Sequence, residues 1–303
     1  MTEPALELRD VVRSFGRTRV LDGLSLRVPA GETFAFLGRN GAGKTTTIRM
    51  LLGLLPPHGG SIRVLGLDPA RHPLEVRRRV GYLAEDQAVF GWMRTREMIE
   101  FISAFYPTWD MDLANKLALQ FQLPLDTRTR DLSKGQTIHL GLLLALAHRP
   151  KLVILDDPTL GLDPIARRQF LSDIVTLLQS EGVTVFFSSH LLYEVEPIAD
   201  RVAILDRGRI VLCAESEELR RRVKRVIVTP DEYERLGREL ALDVERAGGR
   251  VAMTVSDFEA LRPRLSPDAE VVDLNLDEIF QAYVAGKHDE QENPPSPALE
   301  RVA

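Results

Sequence analysis

The sequence predicts an α/β fold with an inserted helical block and a small α+β appendage at the C-terminus. Three apolar runs predict the central strands: Thr33–Leu37, Lys151–Leu155 and Thr184–Ser188. Continuous apolar runs of this length are typical of strands buried on both faces of a sheet. Helical patterns lie between them along the chain, as parallel strands require.

A glycine-rich segment follows the first of these strands and precedes an apolar helical run, Thr47–Leu54. It fits the pattern G-x-x-x-x-G-K-[ST] of a phosphate-binding loop. Glycines let several backbone N–H groups point at one phosphate chain, and the start of a helix adds partial positive charge. Lys44 is expected to reach the terminal phosphates, and the Thr45 hydroxyl is expected to bind Mg²⁺. The predicted nucleotide contacts in this loop are Gly38, Arg39, Asn40, Gly41, Ala42, Gly43, Lys44, Thr45 and Thr46.

Acidic residues end the second apolar strand, in the sequence Asp156-Asp157-Pro158. One carboxylate to hold Mg²⁺ and one to handle water is the pattern of an ATPase built on such a loop. The strand next in chain order closes on His190, and polar side chains in a sheet of this kind bind ligands where strands end. By the same argument the stretch Ala84-Glu85-Asp86-Gln87, which follows the predicted strand Val80–Leu83, is a candidate ligand position.

The inserted block shows a helical pattern from Thr95 to about Gln122, and Pro107 divides it into two helices. A strongly apolar helix follows, which Ser133 is placed to cap. Phe15, beside a glycine at the end of a strand pattern, could stack on a purine base. Packing in the core is an equally good interpretation of this aromatic residue.

Composition restricts the class of protein. The chain has 303 residues, a net charge of −5 and a pI of about 5.8, which argues against nucleic-acid binding by the whole surface. Its single cysteine, Cys213, cannot form an intramolecular disulfide and lies in an apolar run that predicts a core position. No apolar stretch approaches the length needed to span a bilayer, and the N-terminus lacks a signal-peptide pattern.

The composition changes after Glu215, and short alternating strands and helices predict the appendage. The expected strands are Val226–Val228, Val251–Val255 and Glu270–Leu274, and the expected helices are Asp231–Leu240, Asp257–Leu265 and Leu276–Ala285. From Gly286 onward, charge, three prolines and few apolar residues predict a disordered tail.

With these motifs assembled, the chain resembles the nucleotide-binding subunit of an ABC transporter over about residues 6–218. The resemblance assigns Gly38–Thr45 to Walker A, Leu132–Gln136 to the signature motif, Leu152–Asp157 to Walker B, Gly161–Asp163 to the D-loop and His190 to the switch histidine. It implies an ABC nucleotide-binding domain of the P-loop NTPase fold at 1–220, with its helical subdomain at about 86–135. An accessory domain at 221–285 and the tail at 286–303 complete the expected organisation.

The resemblance also implies a mechanism in which two copies pack head to tail around ATP. Asp156, with Thr45 and Glu85, would hold Mg²⁺, and Asp157, His190 and Glu85 would serve catalysis. The signature residues Ser133, Gly135 and Gln136 and the D-loop Asp163 would contact ATP from the second copy, and Phe15 would stack on adenine. The implied partners are a second ATP-binding subunit and a transmembrane permease, which would hold the chain at the cytoplasmic face of the membrane; no nucleic acid is implied. Relatives of this type generally serve exporters.

Three positions depart from the family pattern and keep alternatives open. Asp157 stands where a glutamate is usual, Glu85 where a glutamine is usual, and Lys134 replaces the first signature glycine. One alternative is therefore a mainly regulatory ATP-binding subunit that works beside a catalytically competent partner. Another is an ABC ATPase that acts outside transport, on ribosomes or DNA, although those usually carry two cassettes or a long coiled coil.

Overall fold

A computed structural model describes residues 3–86, 89–160, 162–163, 165, 167, 170–171, 174, 182–189 and 196–285. Its strands are β1 Leu6–Phe15, β2 Thr18–Val28, β3 Thr33–Gly38, β4 Gly59–Val64, β5 Val80–Leu83, β6 Leu152–Asp156, β7 Thr184–Ser189, β8 Arg201–Asp206, β9 Arg209–Glu215, β10 Lys224–Val228, β11 Ala241–Ala247, β12 Arg250–Val255 and β13 Glu270–Asp273. Its helices are α1 Lys44–Leu51, α2 Pro73–Arg79, α3 Thr95–Ser103, α4 Met111–Gln120, α5 Lys134–Leu146, α6 Ser216–Arg222, α7 Pro230–Leu236, α8 Phe258–Leu261 and α9 Leu276–Ala285, with 3₁₀ turns at Thr129–Asp131, Arg238–Leu240 and Arg262–Arg264.

The main sheet has six strands in the order β5-β6-β7-β3-β8-β9. All neighbouring pairs are parallel except β8 and β9, which form an antiparallel hairpin. A second, antiparallel sheet has the order β2-β1-β4. The predicted α/β fold is therefore confirmed, because the three predicted strands, β3, β6 and β7, are parallel and lie in the centre of the sheet.

Alternation along β3 explains how this strand is buried on both faces. Ala35 and Leu37 belong to the apolar cluster that contains α3, α4 and α5, whereas Phe34 and Phe36 belong to the cluster that contains α1 and the antiparallel sheet. Successive side chains of a strand point to opposite faces, so one apolar run fills two cores. Phe186 of β7 packs against both phenylalanines, at ring-centroid distances of 5.9 and 5.1 Å.

The helical block has the two helices that the sequence predicts on either side of Pro107, α3 and α4. Asp110 caps α4, because its side chain accepts a hydrogen bond from the backbone N–H of Leu113. Ser133 caps α5, as predicted. No helix in the described part of the chain is long and apolar enough to cross a membrane.

The C-terminal part contains a four-stranded antiparallel sheet in the order β11-β12-β10-β13. One face of it packs on a small separate apolar cluster that includes Tyr233 and Leu236. Helix α9 is different, since Ile279 and Phe280 belong to the large cluster of the main sheet. The predicted division into an ATPase domain and an accessory domain remains a prediction, and the predicted tail at 286–303 lies outside the described residues.

Cys213 corrects one expectation from the sequence. The apolar run around it predicts a core position, but its side chain is exposed. β9 is the edge strand of the main sheet, and none of its seven residues is fully buried, so its apolar run does not form core.

Candidate functional site

Three parallel strands end at the same edge of the main sheet. β3 ends at Gly38, β6 at Asp156 and β7 at Ser189, and β7 lies between the other two strands. The carboxyl ends of parallel strands form the ligand-binding edge of an open α/β sheet. The glycine-rich loop and the two aspartates therefore come together here.

The loop adopts a backbone that requires glycine at defined positions. Gly41 has a φ of 82° and Gly43 a φ of 114°, which side-chain-bearing residues rarely adopt. A Cβ on Gly43 would lie 2.6 Å from Leu21, and one on Gly38 would lie 2.7 Å from the carbonyl oxygen of Leu205. The conformation and the close packing together explain the glycines of the motif.

Helix α1 begins at Lys44, directly after this loop, and has no acidic residue in its first turn. Its free N–H groups and dipole favour an anion at this point. Arg39, Asn40 and Gly41 are exposed, whereas Ala42 and Gly43 are buried. The loop is therefore anchored at its helix side and open to solvent at its outer side. Thr45 and Thr46, in the first turn of α1, are partly exposed.

The Lys44 side chain is buried within the site, with only 6% of it exposed. Its Nζ donates a hydrogen bond to the carbonyl oxygen of Gly38 at 2.8 Å and lies 3.7 Å from Oδ2 of Asp157. The ammonium group thus bridges the loop and the acidic strand end.

Asp156 is almost completely buried beside β7 and is the register partner of Ser188. The Ser188 hydroxyl donates a hydrogen bond to Oδ1 of Asp156 at 2.6 Å. Burial raises the pKa of Asp156, while the hydrogen bond from Ser188 and the charge of Lys44 lower it. A carboxylate in this position favours a bound cation, because a cation would stabilise the charged form that burial deprives of water.

Asp157 has a left-handed backbone, with a φ of 42°. Its N–H lies 3.1 Å from the carbonyl oxygen of Ser188 and 3.2 Å from the hydroxyl oxygen of the same residue. Ser188 therefore contacts both acidic residues, although it belongs to none of the predicted motifs. The only signal was its place at the end of a buried strand opposite the acidic one.

Glu85 follows β5 at the same edge of the sheet and is exposed. Partial desolvation raises its pKa, and the negative charges of Asp157 and Asp156 act in the same direction. The oxygen donors of Thr45, Asp156 and Glu85 are the type that Mg²⁺ prefers. Among the described residues, no three His, Cys, Asp or Glu side chains are arranged to hold a metal by themselves. Two carboxylates and one hydroxyl would leave coordination positions of Mg²⁺ for phosphate oxygens and water.

Ser133 and Gln136 form a capping box at the start of α5. The Ser133 hydroxyl accepts a hydrogen bond from the Gln136 N–H at 3.2 Å, and the Gln136 side chain accepts one from the Ser133 N–H at 2.9 Å. Ser133 and Lys134 are exposed, and Gly135 is partly exposed. The first turn of this 13-residue helix contains no acidic residue, so its N-terminus is open to an anion.

Two further predicted contacts are described, and one is not. Phe15 is 47% exposed at the end of β1, with the Arg13 guanidinium 4.9 Å from its ring centroid, so it is not a core residue. Asp163 is exposed, and its side chain accepts a hydrogen bond from the N–H of Ile165. His190 lies outside the described residues.

Comparisons with known proteins agree on one family. The family model described as ABC transporter matches residues 21–160. The chain is 33% identical to the daunorubicin/doxorubicin resistance ATP-binding protein DrrA of Streptomyces peucetius, over 100% of this chain and 99% of that protein. It is also 33% identical to the bacitracin transport ATP-binding protein BcrA of Bacillus licheniformis, over 73% of each chain. A solved structure of an ATP-binding subunit of an ABC transporter superposes with a TM-score of 0.65 at 29% identity, over 72% of this chain and 92% of that one.

Proposed function

This chain belongs to the ATP-binding proteins of ABC transporters, and from that premise we propose that it hydrolyses ATP to energise export through a separate membrane permease. The observation that supports hydrolysis is the convergence of Lys44, Asp156 and Asp157 at one edge of the sheet. Export rests on similarity, since the relatives compared above are named for antibiotic transport and drug resistance.

In the proposed mechanism, the loop and the start of α1 bind the phosphate chain through backbone N–H groups. Lys44 exchanges its hydrogen bond to the neutral Gly38 carbonyl and its 3.7 Å contact with Asp157 for charge-assisted hydrogen bonds to phosphate oxygens. Mg²⁺, held by Thr45, Asp156 and Glu85, would supply neutralisation of charge on the β- and γ-phosphates.

Loss of its lysine contact gives Asp157 its catalytic role. In the free protein this carboxylate faces the Lys44 ammonium at 3.7 Å. When Lys44 turns to the phosphates, Asp157 can accept a hydrogen bond from the attacking water and orient it. His190 would contact the γ-phosphate from the end of β7.

A second copy of the chain completes the site in this proposal. Ser133, Gly135 and Gln136 at the start of α5, together with Asp163, would face the γ-phosphate of the other copy. Phe15 would stack on adenine from the exposed end of β1. Binding of ATP would close the dimer, and hydrolysis would open it.

An exposed aromatic surface on the helical block supports a protein partner. It consists of Phe90, Trp92, Phe101 and Phe105, which contact one another at ring-centroid distances of 5.2 to 6.3 Å. Between 39 and 68% of each residue is exposed. Clustered exposed aromatic side chains mark protein interfaces. We assign this surface to the permease.

The test of hydrolysis compares the purified chain with Lys44→Ala and Asp157→Asn, using Mg²⁺-dependent release of phosphate from ATP. We expect turnover that rises more than linearly with protein concentration and falls at least roughly 100-fold in both variants, because each removes a charge from the reacting centre. Lys116→Ala, at an exposed lysine of α4, is the matched control and should be fully active.

Each other outcome selects a different function. Tight ATP binding without turnover in the wild type would favour the regulatory subunit. Asp157 and Lys134, which replace the family's usual residues, support that alternative. Asp157→Asn with wild-type turnover would remove Asp157 from the role of base. Stimulation of turnover by ribosomes or DNA would favour the ABC ATPase that acts outside transport.

A further inference from the structure

One hydroxyl group joins the two acidic residues of the site. Ser188 Oγ is 2.6 Å from Oδ1 of Asp156 and 3.2 Å from the backbone nitrogen of Asp157. Ser188 is fully buried, and Asp156 is 1% exposed, so water cannot replace either hydrogen bond easily.

The direction of these hydrogen bonds follows from their chemistry. A backbone N–H can only donate, so the Ser188 oxygen accepts from Asp157. Its single hydrogen is then free for Asp156, whose carboxylate accepts it. The hydroxyl therefore holds the side chain of Asp156 and also accepts from the Asp157 N–H, which it shares with the Ser188 carbonyl oxygen 3.1 Å from the same nitrogen.

Each hydrogen bond restrains a different degree of freedom. The bond to Asp156 sets the plane of that carboxylate next to Thr45. The bond from Asp157 supports its left-handed backbone, with a φ of 42°, which costs energy in a residue other than glycine. With this backbone, Oδ2 of Asp157 lies 3.7 Å from Nζ of Lys44.

We propose that Ser188 is a positioning residue, which holds Asp156 for Mg²⁺ and Asp157 for water by this pair of hydrogen bonds. The inference rests on the proposed function for this site and adds a residue that acts through both aspartates. Loss of the Ser188 hydroxyl would weaken metal binding and slow hydrolysis. The phosphate-binding loop, which follows β3, would keep its affinity for nucleotide.

The test uses Ser188→Ala and Ser188→Thr with three measurements. These are ATP-analogue binding in EDTA, Mn²⁺ binding to the nucleotide complex followed by electron paramagnetic resonance, and the Mg²⁺ dependence of hydrolysis. In Ser188→Ala we expect nucleotide binding in EDTA to be unchanged and Mn²⁺ affinity to fall by roughly 10- to 100-fold, as for other residues that orient a metal ligand. The Mg²⁺ concentration for half-maximal hydrolysis should rise by the same factor, and Ser188→Thr, which keeps the hydroxyl, should recover most of the loss.

Thr184→Val is the matched control, because Thr184 is a buried residue at the opposite end of β7 whose hydroxyl accepts a hydrogen bond from the Gly31 N–H at 2.8 Å. Its metal affinity should remain that of the wild type. The inference is wrong if Ser188→Ala binds Mn²⁺ normally, if it loses nucleotide binding in EDTA as well, or if Thr184→Val shows an equal metal defect. If the wild type binds Mn²⁺ together with nucleotide but does not hydrolyse ATP, the proposed function is contradicted. The Mn²⁺ affinity of Ser188→Ala would still decide whether Ser188 positions the metal ligand.

Discussion

Asp157 lies directly after β6 and has a left-handed backbone. Its φ of 42° lies in a region that Asp and Asn enter more readily than longer side chains do, because a short polar group can hydrogen-bond locally. An aspartate in place of the family's usual glutamate is consistent with that backbone. The turned backbone also brings the shorter carboxylate to 3.7 Å from Lys44.

His148 is a buried titratable residue outside the site. It is 1% exposed and stacks on Tyr106, with 4.1 Å between ring centroids. Burial lowers its pKa to about 4, and backbone interactions with Val80 and Leu144 oppose this shift only in part. The folded protein therefore keeps this imidazole neutral at pH values where the unfolded chain protonates it.

Acid should destabilise the fold through His148. Its pKa of about 4 in the folded protein is below the ordinary histidine value of 6.5, so the unfolded state binds more protons between these values. The free energy of unfolding should fall by roughly 1.4 kcal/mol per pH unit from this residue as the pH drops through that window, and no further below it. Urea denaturation of wild type and His148→Phe from pH 7.5 to 4 measures the difference.

His72→Gln is the control for this experiment, because His72 is exposed on the surface before α2. It should retain the acid dependence of the wild type. Parallel pH profiles for wild type and His148→Phe would contradict the prediction.

At the scale of elements, helix α9 packs into the apolar core of the main sheet. Ile279 is fully buried in the same cluster as Val202 and Ile204 of β8. An ion pair between Arg225 of β10 and Glu278 of α9, at 3.5 Å, joins the helix to the small sheet as well. Helix α9 therefore contributes to the stability of the nucleotide-binding part, although it lies within the predicted accessory region.

Ile279→Ala should lower the free energy of unfolding of the whole chain by about 2 to 5 kcal/mol, since it leaves a cavity in the large core. Urea denaturation followed by nucleotide-analogue fluorescence, which reports on the loop, should show the shift. Gln281→Ala, at an exposed position of the same helix, should change stability by less than about 0.5 kcal/mol. If the loop unfolds at the same urea concentration in Ile279→Ala as in wild type, the helix does not support the main core.

Elements with a strong apolar pattern were predictable from the sequence, and weakly patterned ones were not. β3, β6 and β7 are fully buried, so their apolar runs identify them. β11 was not predicted, because its side chains are partly or fully exposed and need no apolar alternation. It is held in place by pairing with β12, a tertiary contact that local sequence does not encode.

At the scale of the whole molecule, the placement of Lys44, Asp156 and Glu85 was predictable, because these residues follow strands that end at one edge of the main sheet. Their mutual contacts were not, since the Ser188 hydrogen bonds depend on the register of β6 against β7. Register between strands that are distant in sequence is fixed by packing rather than by either strand alone.

The proposed pairing of two copies gives a prediction for assembly. Asp157→Asn should slow hydrolysis and preserve bound ATP, so that the variant forms a dimer with ATP and Mg²⁺, which size-exclusion chromatography with light scattering measures. Adding Ser133→Glu should abolish the dimer without affecting ATP binding by the monomer. The reason is that the start of α5 is exposed, and a carboxylate there would face the γ-phosphate of the other copy.

Asn115→Asp provides a matched control in the same Asp157→Asn background, because it also adds one negative charge to an exposed helix of the same block. It should leave the dimer intact, since α4 is not part of the proposed interface. A dimer that persists with Ser133→Glu would place the contact elsewhere. Equal loss of the dimer in both variants would indicate that overall charge, rather than the start of α5, controls assembly.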